Sequence, residues 1–520
     1  MAFRQTFLFL KRLIKVNLIF FRLLFSWRIS RPVRFRLFFE EAGGAFLKLG
    51  QILSLRHDFI PLAYANELLN LLSRVPPQPW PEMEAVFLEE VGEPPEQVFK
   101  EFTGRLVASA SISQVYYAVL KSGEAVAVKI QRPGIKLVYE NDFILASFMG
   151  RLLSVFRFFD ALQVEDVISE FISATRRELD FREELNNSLA LLAHSAEHPQ
   201  TIIPKYYSEL STERVLVSQF MGDILSVENV LAKLALDPSY AASLKADEGI
   251  DLETMAYYFV FDIMRQYYID GFFHADPHPA NLFFASGNRL GYFDFGIIGR
   301  AGATRIDLLR IVYGIAKRDL NFASRHFLKF AKSSIADEIE LFKRKDKATY
   351  DRYSKVIDKL EEIMTDNLQA DLEKIIAPWY EEQSGSDYHH LTSSLVISRL
   401  IIKTRDYSIY LPREIVMFFR TLIIADMVAL KLAPSFDIMK ALNRFFDRYP
   451  LGVAEEMITS RSHEVKLAPE IDASEHLSYD ELLALKEMEA EQLSLAKERL
   501  INLIAAYAED YQEIRQLLKA

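Results

Sequence analysis

The chain has 520 residues, 50% hydrophobic and 26% charged, with no cysteine. That size and composition suit one large two-lobed domain with appendages, or two to three ordinary domains, and exclude a wholly disordered, collagen-like or fibrous chain. Without cysteine there is no disulfide, no thiolate nucleophile and no Cys-ligated zinc site. The net charge of −11 hides an asymmetry, because residues 1–36 carry nine Lys and Arg and no acid. A basic end on an acidic body points to one anionic contact, and away from nucleic acid as a partner.

Phe3 to Phe25 reads as an apolar helix interrupted by cations. At 100° per residue, Arg4, Lys11, Lys15 and Arg22 fall within about 40° of one another. Phe7, Leu10, Leu13, Ile14, Phe20, Phe21, Leu24 and Phe25 cover much of the rest, with Asn17 as the polar interruption. No run of 18 uncharged apolar residues occurs here, which argues against a spanning helix. Cations running through the apolar region also fit a signal peptide poorly. Three readings stay open: a helix lying on an anionic leaflet, a helix docked on the folded body, and an organellar transit peptide. The first is carried forward. It makes an anionic membrane surface a partner and places the protein peripherally on the cytoplasmic face of a membrane, an organelle membrane included.

Residues 34–75 are expected to be helical up to Pro76-Pro77, followed by a short helix within 80–101 and a turn at Pro94-Pro95. From Leu106 the period becomes two: Val115, Tyr117 and Val119 alternate, Lys121–Glu124 turns, and Ala125–Ile130 resumes as strand. Helical spacing returns over 135–198, Val215–Phe220 reads as a short strand, and 226–270 is helical with a break at Asp237-Pro238. Helices then follow to about 450. Among them Ile415–Leu432 is apolar but broken by Arg420 and Asp426. After a polar stretch at 460–478, a last helix carries Leu500, Ile504, Tyr507, Tyr511, Ile514 and Leu518, a stripe that reads as core or hairpin packing.

Three segments carry chemistry, and their order gives them weight. Lys129, in Val126-Ala127-Val128-Lys129, lies on a strand closing a hairpin, where its ammonium can neutralise α- and β-phosphate oxygens. His274-Ala275-Asp276-Pro277-His278-Pro279-Ala280-Asn281 has the Asp-x-x-x-x-Asn spacing of a kinase catalytic loop. There Asp276 would meet the attacking nucleophile and Asn281 would ligate Mg²⁺. Asp294-Phe295-Gly296 follows a strand-like Leu290–Phe293 and offers Asp294 as the second Mg²⁺ ligand, since hard cations take carboxylate oxygen. His274 and His278 share an i, i+4 spacing, but Pro277 and Pro279 oppose a helix there, so a structural or phosphate-adjacent role is expected for both.

Together with further segments, these motifs make the chain resemble the UbiB (AarF-domain) family of atypical kinases. Lys48-Leu49-Gly50-Gln51, followed by Ser54, Arg56, Asp58 and Pro61, is similar to that family's K-x-G-Q segment. Ala108-Ser109-Ala110-Ser111-Ile112-Ser113-Gln114-Val115 resembles the Ala-rich loop that replaces the usual Gly-rich one. Glu178-Leu179-Asp180 resembles the E-x-D motif, with Glu184 and Asn187 downstream. Ala280 and Leu106 depart from the family's usual Gly and Pro, and Ser109 and Ser113 are candidates for hydroxyls near phosphate.

The resemblance implies an α+β, bilobal protein-kinase-like fold with a small β-containing N-lobe, a helical C-lobe, an N-terminal helical K-x-G-Q extension and a helical C-terminal tail. In boundaries, the basic amphipathic helix spans 1–36, the extension 37–104, the N-lobe 105–222, the C-lobe 223–455, and a linker with the last helix 456–520. It implies ATP or ADP with Mg²⁺ as cofactors. Asp276 and Lys129 are the catalytic candidates and Asn281 and Asp294 the metal ligands. Ala108, Ser109, Ala110, Ser111, Lys129, Glu184, Gln219, Met221, Lys48, Gln51 and Glu178 form the nucleotide site. Either Glu178 or Glu184 can partner Lys129; Glu184 is preferred there and Glu178 is assigned to Lys48.

The passage from Gly296 to a helix at 306–317 is short, with no long activation segment or A-P-E. That argues against phosphorylation of protein substrates, and the resemblance implies ATP hydrolysis or small-molecule phosphorylation linked to isoprenoid-quinone or other lipid metabolism, with a lipid or quinone-pathway molecule or enzyme as partner. Two alternatives are a nucleotide-binding scaffold that organises membrane enzymes, and a phosphotransferase like the aminoglycoside and choline kinases.

Overall fold

In the computed structural model the described residues are 2–53, 60, 62–68, 71, 76–155, 161–302, 304–327, 347–380 and 413–464, with shorter pieces between 396 and 403 and between 498 and 519. They fall into two compact units, one of Met1–Ile250 with Pro279–Ile298, the other of Asp251–His278 with Gly299–Ala520. The fold class is mixed α+β with kinase-like elements, as the sequence implied.

The first unit opens with α1 (Ala2–Leu24), α2 (Arg31–Ala42), α3 (Ala45–Leu53) and α4 (Leu62–Leu68). The single helical run expected over 34–75 is thus broken. Gly43 and Gly44 stand at φ +62° and +60°, a left-handed conformation glycine adopts without strain. One face of α1 is docked, with Val16, Ile19 and Leu23 in a core shared with Phe38, Phe39, Phe46 and Leu49. Arg12 of α1 is turned into this interface. It donates to the Ala42 carbonyl at 2.7 Å and through Nε and Nη2 to Asp142 at 2.5 and 2.8 Å. Asp142 in turn accepts from the backbone N–H of Ala45 at 2.9 Å, placing an anion at the N-terminus of α3.

Gly50 is the glycine of the K-x-G-Q segment. A Cβ there would stand 2.7 Å from Leu71 Cδ1 and 2.8 Å from Phe39 Cγ. Gly50→Ala is expected to cost about 1–3 kcal/mol by overpacking, read as a lower midpoint in denaturant unfolding. An unchanged midpoint would show that Phe39 and Leu71 yield freely.

The N-terminal sheet has the order β1-β2-β3-β5, from β1 (Glu101–Ser109), β2 (Ser113–Val119), β3 (Ala125–Gln131) and β5 (Val215–Gln219), all antiparallel. β1 begins at Glu101, earlier than the alternation starting at Leu106 suggested. Gly104 at φ +65° and a register irregularity between Phe102 and Leu106 disturb the period, as a bulge does. α5 (Trp80–Val91) and α6 (Pro95–Val98) cover the sheet, burying Met83, Phe87 and Phe99 against Val126, Val128, Ile130, Val215 and Val217.

α7 (Ile135–Val155), α8 (Ala161–Glu178) and α9 (Phe181–Ser195) follow. The Asp180 carboxylate accepts from Arg182 N at 3.0 Å and caps α9, the usual task of an N-cap acid. The unit closes with α10 (Val227–Leu236), α11 (Tyr240–Asp247) and a second sheet. Its order is β4-β9-β8-β6, from β4 (Thr201–Ile202), β6 (Leu225–Ser226), β8 (Leu282–Ala285) and β9 (Arg289–Tyr292).

In the second unit α12 (Leu252–Arg265) runs into a π-turn, Gln266–Asp270, ended by Gly271 at φ +72°. β7 (Phe272–His274) pairs with β10 (Ile298–Arg300), and α13 (Arg305–Ala316) follows. Helices Lys347–Tyr380, Arg413–Leu432, Ile438–Arg448, Leu451–Glu464 and Gln512–Lys519 complete it. Of the C-terminal stripe, Ile504 and Ile514 are buried and Leu518 is exposed. Glu513 pairs with Lys359 at 3.0 Å, so the stripe serves internal packing. No helix among the described residues is long and apolar enough to cross a membrane.

Candidate active site

Alternation along β3 sends Val126, Val128 and Ile130 into the core and leaves Lys129 on the other face. Lys129 Nζ reaches Glu184 Oε1 and Oε2 at 2.9 and 2.7 Å and Asp294 Oδ2 at 3.9 Å. It also lies 5.2 Å from the centroid of the Phe181 ring. Burial alone would pull the ammonium down, but Asp294 and Glu184 outweigh it and hold Lys129 above its ordinary value. Burial pushes the Glu184 carboxyl up to about 7, against the pull of Lys129. The choice left open by the sequence is settled in geometry: Glu184, in the first turn of α9, takes Lys129, while Glu178, ending α8, pairs with Lys48 of α3. For Lys48 too, burial opposes the charge and Glu178 overcomes it, leaving it raised. Gln51 lies on the same helix as Lys48; its side chain, and Ser54, Arg56, Asp58 and Pro61, are outside the described residues.

Asp294 adopts φ +55°, uncommon for a residue with a side chain. Its Oδ1 accepts from Gly296 N at 3.1 Å, the local bond that lets Asp tolerate this conformation. Asn187 Nδ2 donates to the Phe295 carbonyl at 2.9 Å, and Phe295 is buried edge-on to Tyr206 at 5.9 Å. Phe293 N donates to Asn281 O at 2.7 Å, so the β8–β9 hairpin returns the Asp294 segment to Asn281.

The Ala-rich loop joins β1 to β2, with Ala110 N donating to Ser113 O at 2.9 Å. Ala108 and Ser109 are the last residues of β1, and Ala110 and Ser111 lie in the connection itself. Arg132, buried just past β3, donates to Ala110 O at 2.9 Å, Ser109 Oγ at 2.8 Å and Pro76 O at 3.0 Å. The Ser109 hydroxyl thus accepts from a guanidinium, and Ser113 is fully buried. Arg132 was not singled out in the sequence, although an Arg immediately before Pro133-Gly134 at the end of the Lys-bearing strand was the available signal. Gln219 ends β5, its Oε1 accepting from Lys205 N at 3.4 Å, and Met221 follows half-buried.

In the second unit, Asp276 Oδ1 accepts from Arg420 Nη2 at 3.1 Å. Asp276 N donates to His274 Nδ1 at 3.3 Å, and His278 N donates to Asp276 O at 2.8 Å. His274 is fully buried and His278 exposed. Among the described residues no group of three or more His, Asp or Glu is arranged to hold a metal ion unaided.

A buried strand lysine on a helix glutamate, with a D-F-G aspartate beside it, defines a kinase-like, nucleotide-binding protein. Residues 70–326 match the family described as ABC1 atypical kinase-like domain. An uncharacterized protein from the hydrogenase 1 5′ region of Clostridium pasteurianum is 30% identical over 79% of this chain and 69% of its own length. The uncharacterized protein slr0889 of Synechocystis is 36% identical over 50% of this chain; the match spans 63% of that relative's length. The solved structure of Rv3197 with erythromycin, from Mycobacterium tuberculosis, is 21% identical, covering 80% of this chain and 94% of that one with a TM-score of 0.48. The chain belongs to the ABC1 atypical kinase-like family. A fold of this kind generally binds ATP and Mg²⁺.

Proposed function

We propose that the protein is an ATP- and Mg²⁺-dependent atypical kinase or ATPase that works at an anionic membrane surface, in support of isoprenoid-quinone or other lipid metabolism. The observation that carries the catalytic part is Lys129 held between Glu184 and Asp294. Such a lysine stays cationic and ready to neutralise phosphate oxygens. The residue types present fit the metal: Asp294 offers a half-exposed carboxylate, and the backbone bond from Phe293 N to the Asn281 carbonyl brings Asn281, whose side chain carries an amide oxygen, into the same hairpin. Mg²⁺ takes one or two such ligands and completes its shell with phosphate and water. Held by Asn281 and Asp294, it would neutralise charge developing on the transferred phosphoryl group. Lys129 is assigned the clamping of the phosphates, and Asp276, by its place in the catalytic-loop motif, the orienting of the nucleophile by accepting its hydrogen bond.

The membrane part rests on α1. Leu10, Ile14, Leu18, Phe21 and Phe25 follow helical spacing on its undocked side and are exposed, and Trp27 beyond is 84% exposed. Lys11, Lys15 and Arg22 are exposed as well. An apolar stripe with cations along one edge suits the headgroup boundary of an anionic leaflet.

Purified protein is expected to hydrolyse ATP with Mg²⁺, faster with anionic liposomes than without. Asp294→Asn should lower turnover about 10²-fold or more, as loss of a charge-stabilising group does. Nucleotide binding without turnover above that variant in any condition would favour the scaffold reading. Equal turnover with neutral, anionic and no liposomes would sink the membrane part.

A further inference from the structure

We propose that Arg420 is the positioning residue for Asp276, a cation delivered by a distant helix to the carboxylate that meets the nucleophile. This rests on the reading of Asp276 given above. Most of helix Arg413–Leu432 serves packing: Ile415, Phe418, Leu422, Ala425 and Val428 are buried along it, beside the buried polar residues Thr421 and Asp426. In the middle of that run Arg420 reaches Asp276 Oδ1 at 3.1 Å, and both side chains are only partly exposed.

Packing alone would not select this residue. The Arg420 Nε is buried and finds no hydrogen-bond partner, a desolvation cost that an apolar side chain would avoid. Nor is Arg420 needed to hold the loop backbone. Its neighbour Thr421, fully buried, shares its hydroxyl proton between the Met417 carbonyl at 3.0 Å and the Ala275 carbonyl at 3.3 Å. From the other side Gln266 Oε1 accepts from His274 N at 2.9 Å, and Gln266 Nε2 is fixed on Asp262 Oδ2 at 2.7 Å. Asp262 is in turn bound by Arg265 at 2.8 Å. Two neutral side chains therefore fix the backbone and the guanidinium acts on the carboxylate. Fixing one oxygen of a carboxylate fixes the plane in which the group accepts its next hydrogen bond, and a charge-assisted bond does so more firmly than a neutral one. Arg420 thereby orients Asp276 toward the nucleophile and keeps a positive charge beside the reacting groups.

The test uses full-length protein, MgATP turnover followed by phosphate release, and nucleotide affinity measured separately, for wild type, Arg420→Gln, Arg420→Lys, Asp276→Asn and the Gln/Asn double variant. Arg420→Gln should lower kcat about tenfold or more with KM and nucleotide affinity within about twofold. Arg420→Lys should recover part of the loss, and the double variant should be no slower than Asp276→Asn alone, because the pair acts as a unit. Should Arg420→Gln melt below the assay temperature, Arg420→Lys and Asp276→Asn carry the comparison through the same kcat and KM split. Wild-type kcat in Arg420→Gln, or losses that multiply in the double variant, would overturn the assignment of Arg420 alone. A wild-type protein with no turnover would overturn the reading of Asp276, and the role of Arg420 with it.

Discussion

Lys129→Met is expected to reduce MgATP turnover about 10³-fold, the scale on which charge-stabilising groups act in phosphoryl transfer. Methionine keeps the length and apolar stem of the lysine, so the change removes the ammonium and little else. The surrounding carboxylates define what happens next. Glu184 is already raised to about 7 by burial, with Lys129 the main influence opposing that rise. Without the ammonium it should hold its proton through neutral pH, and the variant should fold. The sign follows from proton counting. A folded carboxyl that keeps its proton longer than the unfolded one loses stability as pH rises from the ordinary carboxylate range through its folded value. The melting temperature of Lys129→Met should therefore climb on acidification from about pH 8 to pH 6, more steeply than that of wild type. Retained turnover would show that phosphate neutralisation lies elsewhere. A flat melting profile would show that Glu184 finds another cation.

The second large effect concerns stability. Arg12 and Asp142 bury opposite charges between α1 and α7, the Asp142 side chain being 1% exposed and that of Arg12 13%. Burial pushes the Asp142 carboxyl up even with Arg12 in place. Arg12→Ala strands that carboxylate, and Asp142→Ala strands the guanidinium and strips the N-terminus of α3. Each is expected to cost about 3–5 kcal/mol, read from denaturant midpoints. The double variant should cost less than the two losses added together, since neither charge is then left alone. Strictly additive losses would show that the two residues stabilise the fold independently.

The kinase-like part of this molecule was largely readable from the chain. Lys129, Asp276, Asn281 and Asp294 stand in short motifs whose order constrains the fold, and β2, β3 and α13 announced themselves by period. What escaped was set by distance or by local disturbance. Helical spacing continues on both sides of Gly43-Gly44, so the break between α2 and α3 is invisible to a periodicity count, and Gly104 masked the start of β1. Arg12 stands off the arc shared by Arg4, Lys11, Lys15 and Arg22, a sign that it turns another way. Its partner Asp142, 130 residues on, has no local mark. Arg420 was visible as a flaw in an apolar run, but nothing in the chain tied it to Asp276.

The same Arg12–Asp142 contact bears on how this chain can change over generations. Either charge lost alone leaves the other buried without its counterpart, so single substitutions that remove the charge at position 12 or 142 are each expected to be selected against. The viable route passes through a near-simultaneous exchange of both for uncharged side chains. Among descendants of this sequence the two sites are expected to be inherited as a linked pair, kept together or replaced together, although they lie in different helices far apart in the chain.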